Sequence, residues 1–154
     1  MLPHIHLIFG MTFLNVIYLP DINDLDAFLF LIGNLTPDLD FIIARKLNVN
    51  HRRLPSHFPF LWFILTILTL ILRFPIFWLF WGGFLHLIVD TLDWEVILLG
   101  PMFSHSFSFL SIKFEDEYRT KPLLHLLKAY YSDRRILFIE AIFFLVYILS
   151  LLTR

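Results

Sequence analysis

Apolar residues in this chain come in blocks. Five blocks, at 5–19, 27–44, 58–72, 74–92 and 136–152, are separated by short stretches that hold most of the charge. Each block is shorter than or close to the ~20 residues that span a ~30 Å hydrocarbon core, so none is decisive alone, and together they point to a membrane. Residues 58–89 run almost unbroken, with Arg73 as the one formal charge. That run is too long for one span. Arg73-Phe74-Pro75 places a charge and a helix-starting proline near its middle, which predicts a tight helical hairpin rather than one long kinked helix.

Segment 113–135 has a different pattern. Thr120 and Pro122 supply a helix start, and Leu123, Leu124, Leu126 and Leu127 then give a one-sided apolar face ending in Tyr130 and Tyr131. This predicts an amphipathic helix lying along a membrane surface or packed on the bundle. The expected architecture is all-α: an integral membrane helical bundle of about five short helices plus an amphipathic interfacial helix, forming one domain over 1–154.

Composition sharpens this picture. At 18.4 kDa a soluble globule would expose roughly 8,200 Å², and 12 basic and 13 acidic residues are too few to wet that area. The chain is 58% hydrophobic and 16% charged, against about 25% charged for soluble domains. A soluble enzyme and a disordered tail are disfavoured, and a net charge of −1 gives no field for gathering nucleic acid, so no nucleic-acid partner is expected. The absence of cysteine excludes disulfides, thiolate zinc sites and cysteine nucleophiles. The N-terminus lacks the basic start and cleavage site of a secretory signal, so it is expected to be retained.

Loop charges orient the helices. Arg45, Lys46, Arg52 and Arg53 in 45–57, and six basic residues in 113–135, place both segments on the cytoplasmic side of the cell membrane. The acidic connection 21–26 and the hairpin tip then lie outside. On this path His4, His6, Asp38, Asp40, His51, His57, His86 and Asp90 all fall on one side, the cytoplasmic one. Lys and Arg alone set the topology, so this convergence is a partly separate observation.

His86 and Asp90 are four residues apart, one turn on the same helix face, and can reach one cation. Gly82 and Gly83, a turn earlier, permit close approach of a neighbouring helix. In Thr36-Pro37-Asp38-Leu39-Asp40 the carboxylates at i and i+2 point about 200° apart on a regular helix, so one direct ligand and one supporting partner is the expected arrangement. An N-cap role for this pair is the structural alternative. His51 and His57 bracket a basic, proline-containing loop, and Arg52 can hold an anion. Glu140 is expected to be structural, snorkelling or pairing near the interface five residues after Arg135. His105 reads as an interfacial surface residue, with an extra ligand or base as the alternative, and His125 as incidental.

These residues carry a resemblance. An N-terminal histidine, a Pro-Asp-Leu-Asp, a His-Arg with Ser-His downstream, and Gly-x-x-x-His-x-x-x-Asp in a hydrophobic hairpin resemble the prokaryotic membrane-bound metal-dependent hydrolase family. The matched elements run from His6 to Asp90, with a weaker echo to Pro101. The spacing of His51 and His57 is one longer than the family's usual pattern, and Asp93-Trp94-Glu95 replaces its usual Thr and Gly. The His-x-x-x-Asp element is also similar to one in zinc-dependent phospholipases C and single-strand nucleases.

The resemblance implies a divalent metal, Zn or Mn, held by His6, Asp38, His51, His86 and Asp90. Asp40, Arg52 and His57 would be catalytic residues. Activity is then expected to be hydrolysis of a phosphoester or lipid-linked substrate, with the lipid bilayer as partner. A metal-binding membrane transporter and a catalytically inactive structural membrane protein are the alternatives.

Overall fold

The computed structural model describes residues 2–16, 22–47, 49, 51–93, 95–110 and 123–152. Among them the chain is all-α, with seven α-helices and three short 3₁₀ turns. The first apolar block forms α1 (Pro3–Val16), and the second forms α2 (Asp24–Leu35), a 3₁₀ turn at Pro37–Leu39 and α3 (Asp40–Leu47). The long run divides into α4 (Pro59–Ile71) and α5 (Phe77–Asp90). Helix α6 (Leu123–Ser132) leads into α7 (Arg134–Leu152). Thr120 and Pro122, the expected start of the amphipathic helix, lie outside the described residues.

The helix boundaries follow from local chemistry. Asn23 caps α2 by accepting a 2.9 Å hydrogen bond from the Asp26 backbone N–H, and Asp24 and Asp26 sit at the positive end of the helix dipole. Pro37 lacks the amide that would continue α2, so the second block is two helices rather than one. The expected hairpin break is present: α4 ends at Ile71, Arg73 takes the left-handed φ of 53°, and α5 starts two residues after Pro75.

Helices α2 and α5 lie side by side in the same direction, in contact through glycine. A Cβ at Gly33 would run into the Leu79 carbonyl, and one at Gly82 into the Phe30 carbonyl. A Cβ at Gly83 would strike the Trp62 ring of α4. Helix α1 runs against α2, with Phe13 stacked on Phe30, and beside α7, where Phe9 meets Phe143 edge to face. The N-terminal ends of α1, α4 and α7 and the C-terminal ends of α2 and α5 therefore gather at one end of the bundle.

Among the described residues one helix, α7, is long and apolar enough to cross a membrane; α4 and α5 are apolar but shorter. The expected five spans are thus represented by one helix of spanning length and two shorter apolar ones. Much of α4 and α7 faces outward with large apolar side chains, among them Ile64, Leu68, Ile71, Phe138, Phe144 and Leu145.

Candidate metal centre

The end where five helix termini meet holds a buried polar cluster. His86 and Asp90 are fully buried on the last turns of α5, and His57 is 1% exposed in the 3₁₀ turn Pro55–His57 before α4. Asp38 enters from the 3₁₀ turn after α2. Asp38, His57, His86 and Asp90 each offer one ligand atom, and the four atoms lie within 4.8 Å of one another. His86 Nε2 stands 3.6 Å from Asp38 Oδ1 and 3.7 Å from Asp90 Oδ2; His57 Nε2 stands 4.0 Å from Asp38 Oδ1.

The imidazoles are aimed by their other nitrogen. His86 Nδ1 is 2.6 Å from the carbonyl oxygen of Asn34, one of the last-turn carbonyls of α2 that lack a helical partner. A carbonyl only accepts, so Nδ1 carries the proton and Nε2 presents its lone pair to the cluster. His57 Nδ1 is 2.9 Å from Asp40 Oδ2, which fixes that ring in the same way. The Ser56 hydroxyl also donates to Asp40 Oδ2, and Trp62 Nε1 donates to the Ser56 carbonyl at 2.7 Å, tying the turn to α4. Histidine ligands are usually supported by such partners on the far nitrogen.

Electrostatics favour a cation here. Asp38, Asp40 and Asp90 converge where the negative ends of α2 and α5 meet, and the buried Arg52 lies among them. Its Nη1 lies 2.8 Å from Asp90 Oδ2. Burial works against the Arg52 cation, but Asp90, Asp93 and Asp38 outweigh it and raise its pKa. Among the described residues the carboxylates outnumber the guanidinium in this largely buried site, and a divalent ion bound by N and O ligands would offset their charge. The buried Nε2 of His86 and Oδ2 of Asp38 have no hydrogen-bond partner. Donor chemistry and geometry thus fit a small, hard-to-borderline cation.

A family model described as YdjM inner membrane protein matches residues 1–154. The chain belongs to this family. No curated protein and no solved structure matches it. The description of the YdjM family as inner membrane proteins agrees with the apolar helices, and the histidine–aspartate group described above could hold a metal ion.

The residues singled out in the sequence take distinct places in this family member. Asp38, His86 and Asp90, expected as ligands, belong to the four-atom group, and so does His57, which the sequence reading made catalytic. Asp40 stands behind His57. His6 is fully buried and stacked on His86 at 3.6 Å between ring centroids, with Nε2 3.1 Å from Asp90 Oδ1, so it abuts the group rather than joining it. Arg52 reaches Asp90 instead of open space. The side chain of His51 lies outside the described residues.

Four participants were not foreseen in these roles. Asn34 was signalled only as a polar residue in an apolar helix, one turn before Asp38. Ser56 stands out in the sequence only as the residue before His57. Asp93 is 1% exposed and accepts a 3.0 Å hydrogen bond from the Tyr130 hydroxyl, which also lies 3.3 Å from Glu140. Glu140 therefore pairs with Tyr130, and with His4 at 3.9 Å, while Arg135 pairs with Asp133 at 2.7 Å.

Proposed function

We propose that this chain is a membrane-bound metal-dependent hydrolase that cleaves a phosphoester or lipid-linked substrate at the Asp38–His57–His86–Asp90 cluster. The carrying observation is the convergence of four donor atoms from three separate elements, with both imidazoles oriented by partners on Nδ1. Zn or Mn suits two imidazoles and two carboxylates without thiolate. Such an ion supplies Lewis acidity, lowering the pKa of water and polarising a phosphoryl or acyl oxygen. Asp40 holds the His57 tautomer, and Arg52 neutralises charge beside Asp90. His6 packs the floor of the site through its stack on His86.

The outward apolar faces of α4 and α7 support a bundle held in the lipid bilayer. The basic residues at the end of α3 and in its connection to α4, Lys46 and Arg53 among them, support a cytoplasmic placement of the site. Position near one end of the bundle argues against a transporter, whose sites tend to lie near the bilayer midplane. One observation favours an inactive, bracing cluster instead: Arg52 already supplies a positive charge to Asp90 at 2.8 Å. Elemental analysis of the protein purified in detergent decides between them. Bound Zn or Mn that is lost in His86→Ala, together with metal-dependent cleavage of bis-p-nitrophenyl phosphate by the parent chain, supports hydrolysis. Metal-free parent protein that loses stability on His86→Ala supports the bracing role.

A further inference from the structure

Residues 96–110 form a lobe beyond α5 that the cluster does not use. It contains no Asp, Glu, Lys or Arg, and its polar side chains are three serines and His105. Its large apolar side chains point outward: Leu99, Met102, Phe103, Phe107 and Phe109 are all exposed, Met102 and Phe109 by about two-thirds. The backbone holds them there. Val96 and Phe107 exchange two 2.9 Å hydrogen bonds, Phe109 N–H donates to the Thr91 carbonyl at 2.9 Å, and Leu110 N–H to that of Leu92 at 3.1 Å. Phe60 N–H, in the first turn of α4, donates to the Leu98 carbonyl at 3.2 Å, and Gly100 lies flat against the Phe58 ring next to His57.

The lobe is thus fastened to α4 and α5 at the end where the cluster sits. The lobe joins α4 at its first turn, and farther along that helix Phe63, Ile64 and Ile67 are exposed. We propose that the lobe is an interfacial anchor, sunk into the acyl–headgroup boundary of the leaflet nearest the cluster. An uncharged loop of aromatic, Met and Leu side chains among serines suits that depth, where apolar side chains leave water while hydroxyls still find partners. The occupant is phospholipid, because the lobe is fastened to the first turn of α4, whose exposed side chains are apolar and which the membrane reading sets in lipid. The anchor fixes the cluster at headgroup depth and gives a lipid phosphoester a short route to it. This inference rests on the membrane reading proposed above.

The chain has no cysteine, so single-cysteine labelling is clean. Met102→Cys and Phe103→Cys, with Leu145→Cys on α7 and Lys46→Cys on α3 as references, would carry a nitroxide in the full chain. Reconstitution into phosphatidylcholine–phosphatidylglycerol vesicles then allows power saturation against oxygen and a water-soluble nickel chelate. The anchor requires labels at 102 and 103 to collide more with oxygen than with nickel, as at 145, while 46 shows the reverse. Nickel-dominated collisions at 102 and 103 with lipid-like behaviour at 145 overturn the anchor and leave the membrane reading standing. Water-like behaviour at 145 as well overturns both. Dipolar broadening at 103, or a label shielded from both reagents, means that protein covers the lobe, and it also overturns the proposal.

Discussion

Asp90 is a carboxylate buried at the C-terminal end of a helix, where the dipole disfavours it, and Arg52 is its counter-ion. Arg52→Ala removes the guanidinium from that buried charge and is expected to cost about 3–5 kcal/mol, read as a fall in the detergent-solubilised melting temperature. An unchanged melting temperature would show that the pair contributes nothing. Asp40→Asn tests the support of His57 separately. Support of this kind is typically worth about 10–100-fold in metal affinity, so competition against a zinc-binding dye should show a loss in that range with little change in fold. Burial, reinforced by the Asp90 charge, raises the pKa of Asp93. A raised carboxyl pKa means the folded state holds the proton more tightly, so this contribution to stability is full below about pH 4 and is lost as pH climbs through the folded-state pKa. Asp93→Asn keeps an acceptor for Tyr130 and should flatten the melting temperature's decline above that pH. An equally steep decline in the variant would assign it to another group. At this scale the sequence disclosed the chemistry-bearing residues, because an acid or imidazole in an apolar run is costly enough to stand out. It could not disclose which nitrogen of His57 faces the site, since that depends on the Asp40 carboxylate and a turn geometry set by Trp62.

Helices α2 and α5 meet where carbonyls occupy the space a side chain would need. Gly82→Leu or Gly33→Leu must push the helices apart, separating Asn34 from His86. Overpacking of this kind costs about 1–3 kcal/mol, and here it should also reduce bound metal, as measured by elemental analysis; full metal content at lowered stability would uncouple the crossing from the site. Hydrophobic patterning revealed the hairpin because Arg73 and Pro75 interrupt an otherwise unbroken run. The division of the second block was visible in Pro37, but the 3₁₀ turn that aims Asp38 inward while Asp40 supports His57 was not, since local propensity carries no information about what the carboxylates will meet. The glycines at 82 and 83 announced a close helix contact, whereas the identity of the neighbour, α2 through Gly33, needed the tertiary arrangement.

Across the described residues, leucine, isoleucine and phenylalanine side chains on α4 and α7 face outward in numbers that a chain held in water rarely exposes. Expressed protein should therefore stay with the membrane pellet through an alkaline carbonate wash and leave it only in detergent; release by carbonate would contradict an embedded bundle. The gathering of distant histidines and acids at one end was legible from charge placement along the chain, without any contact being known. Segment lengths were less informative, because short apolar helices read alike whether they cross a bilayer or lean against a longer neighbour. Of the four donors only Asp38 keeps measurable exposure, 16% of its side chain, while the other three are sealed at 1% or less. Traffic to the centre must consequently pass one carboxylate. A bulky chelator cannot reach the inner donors, so stripping the centre should proceed at a rate independent of chelator concentration, set by how often Asp38 swings aside.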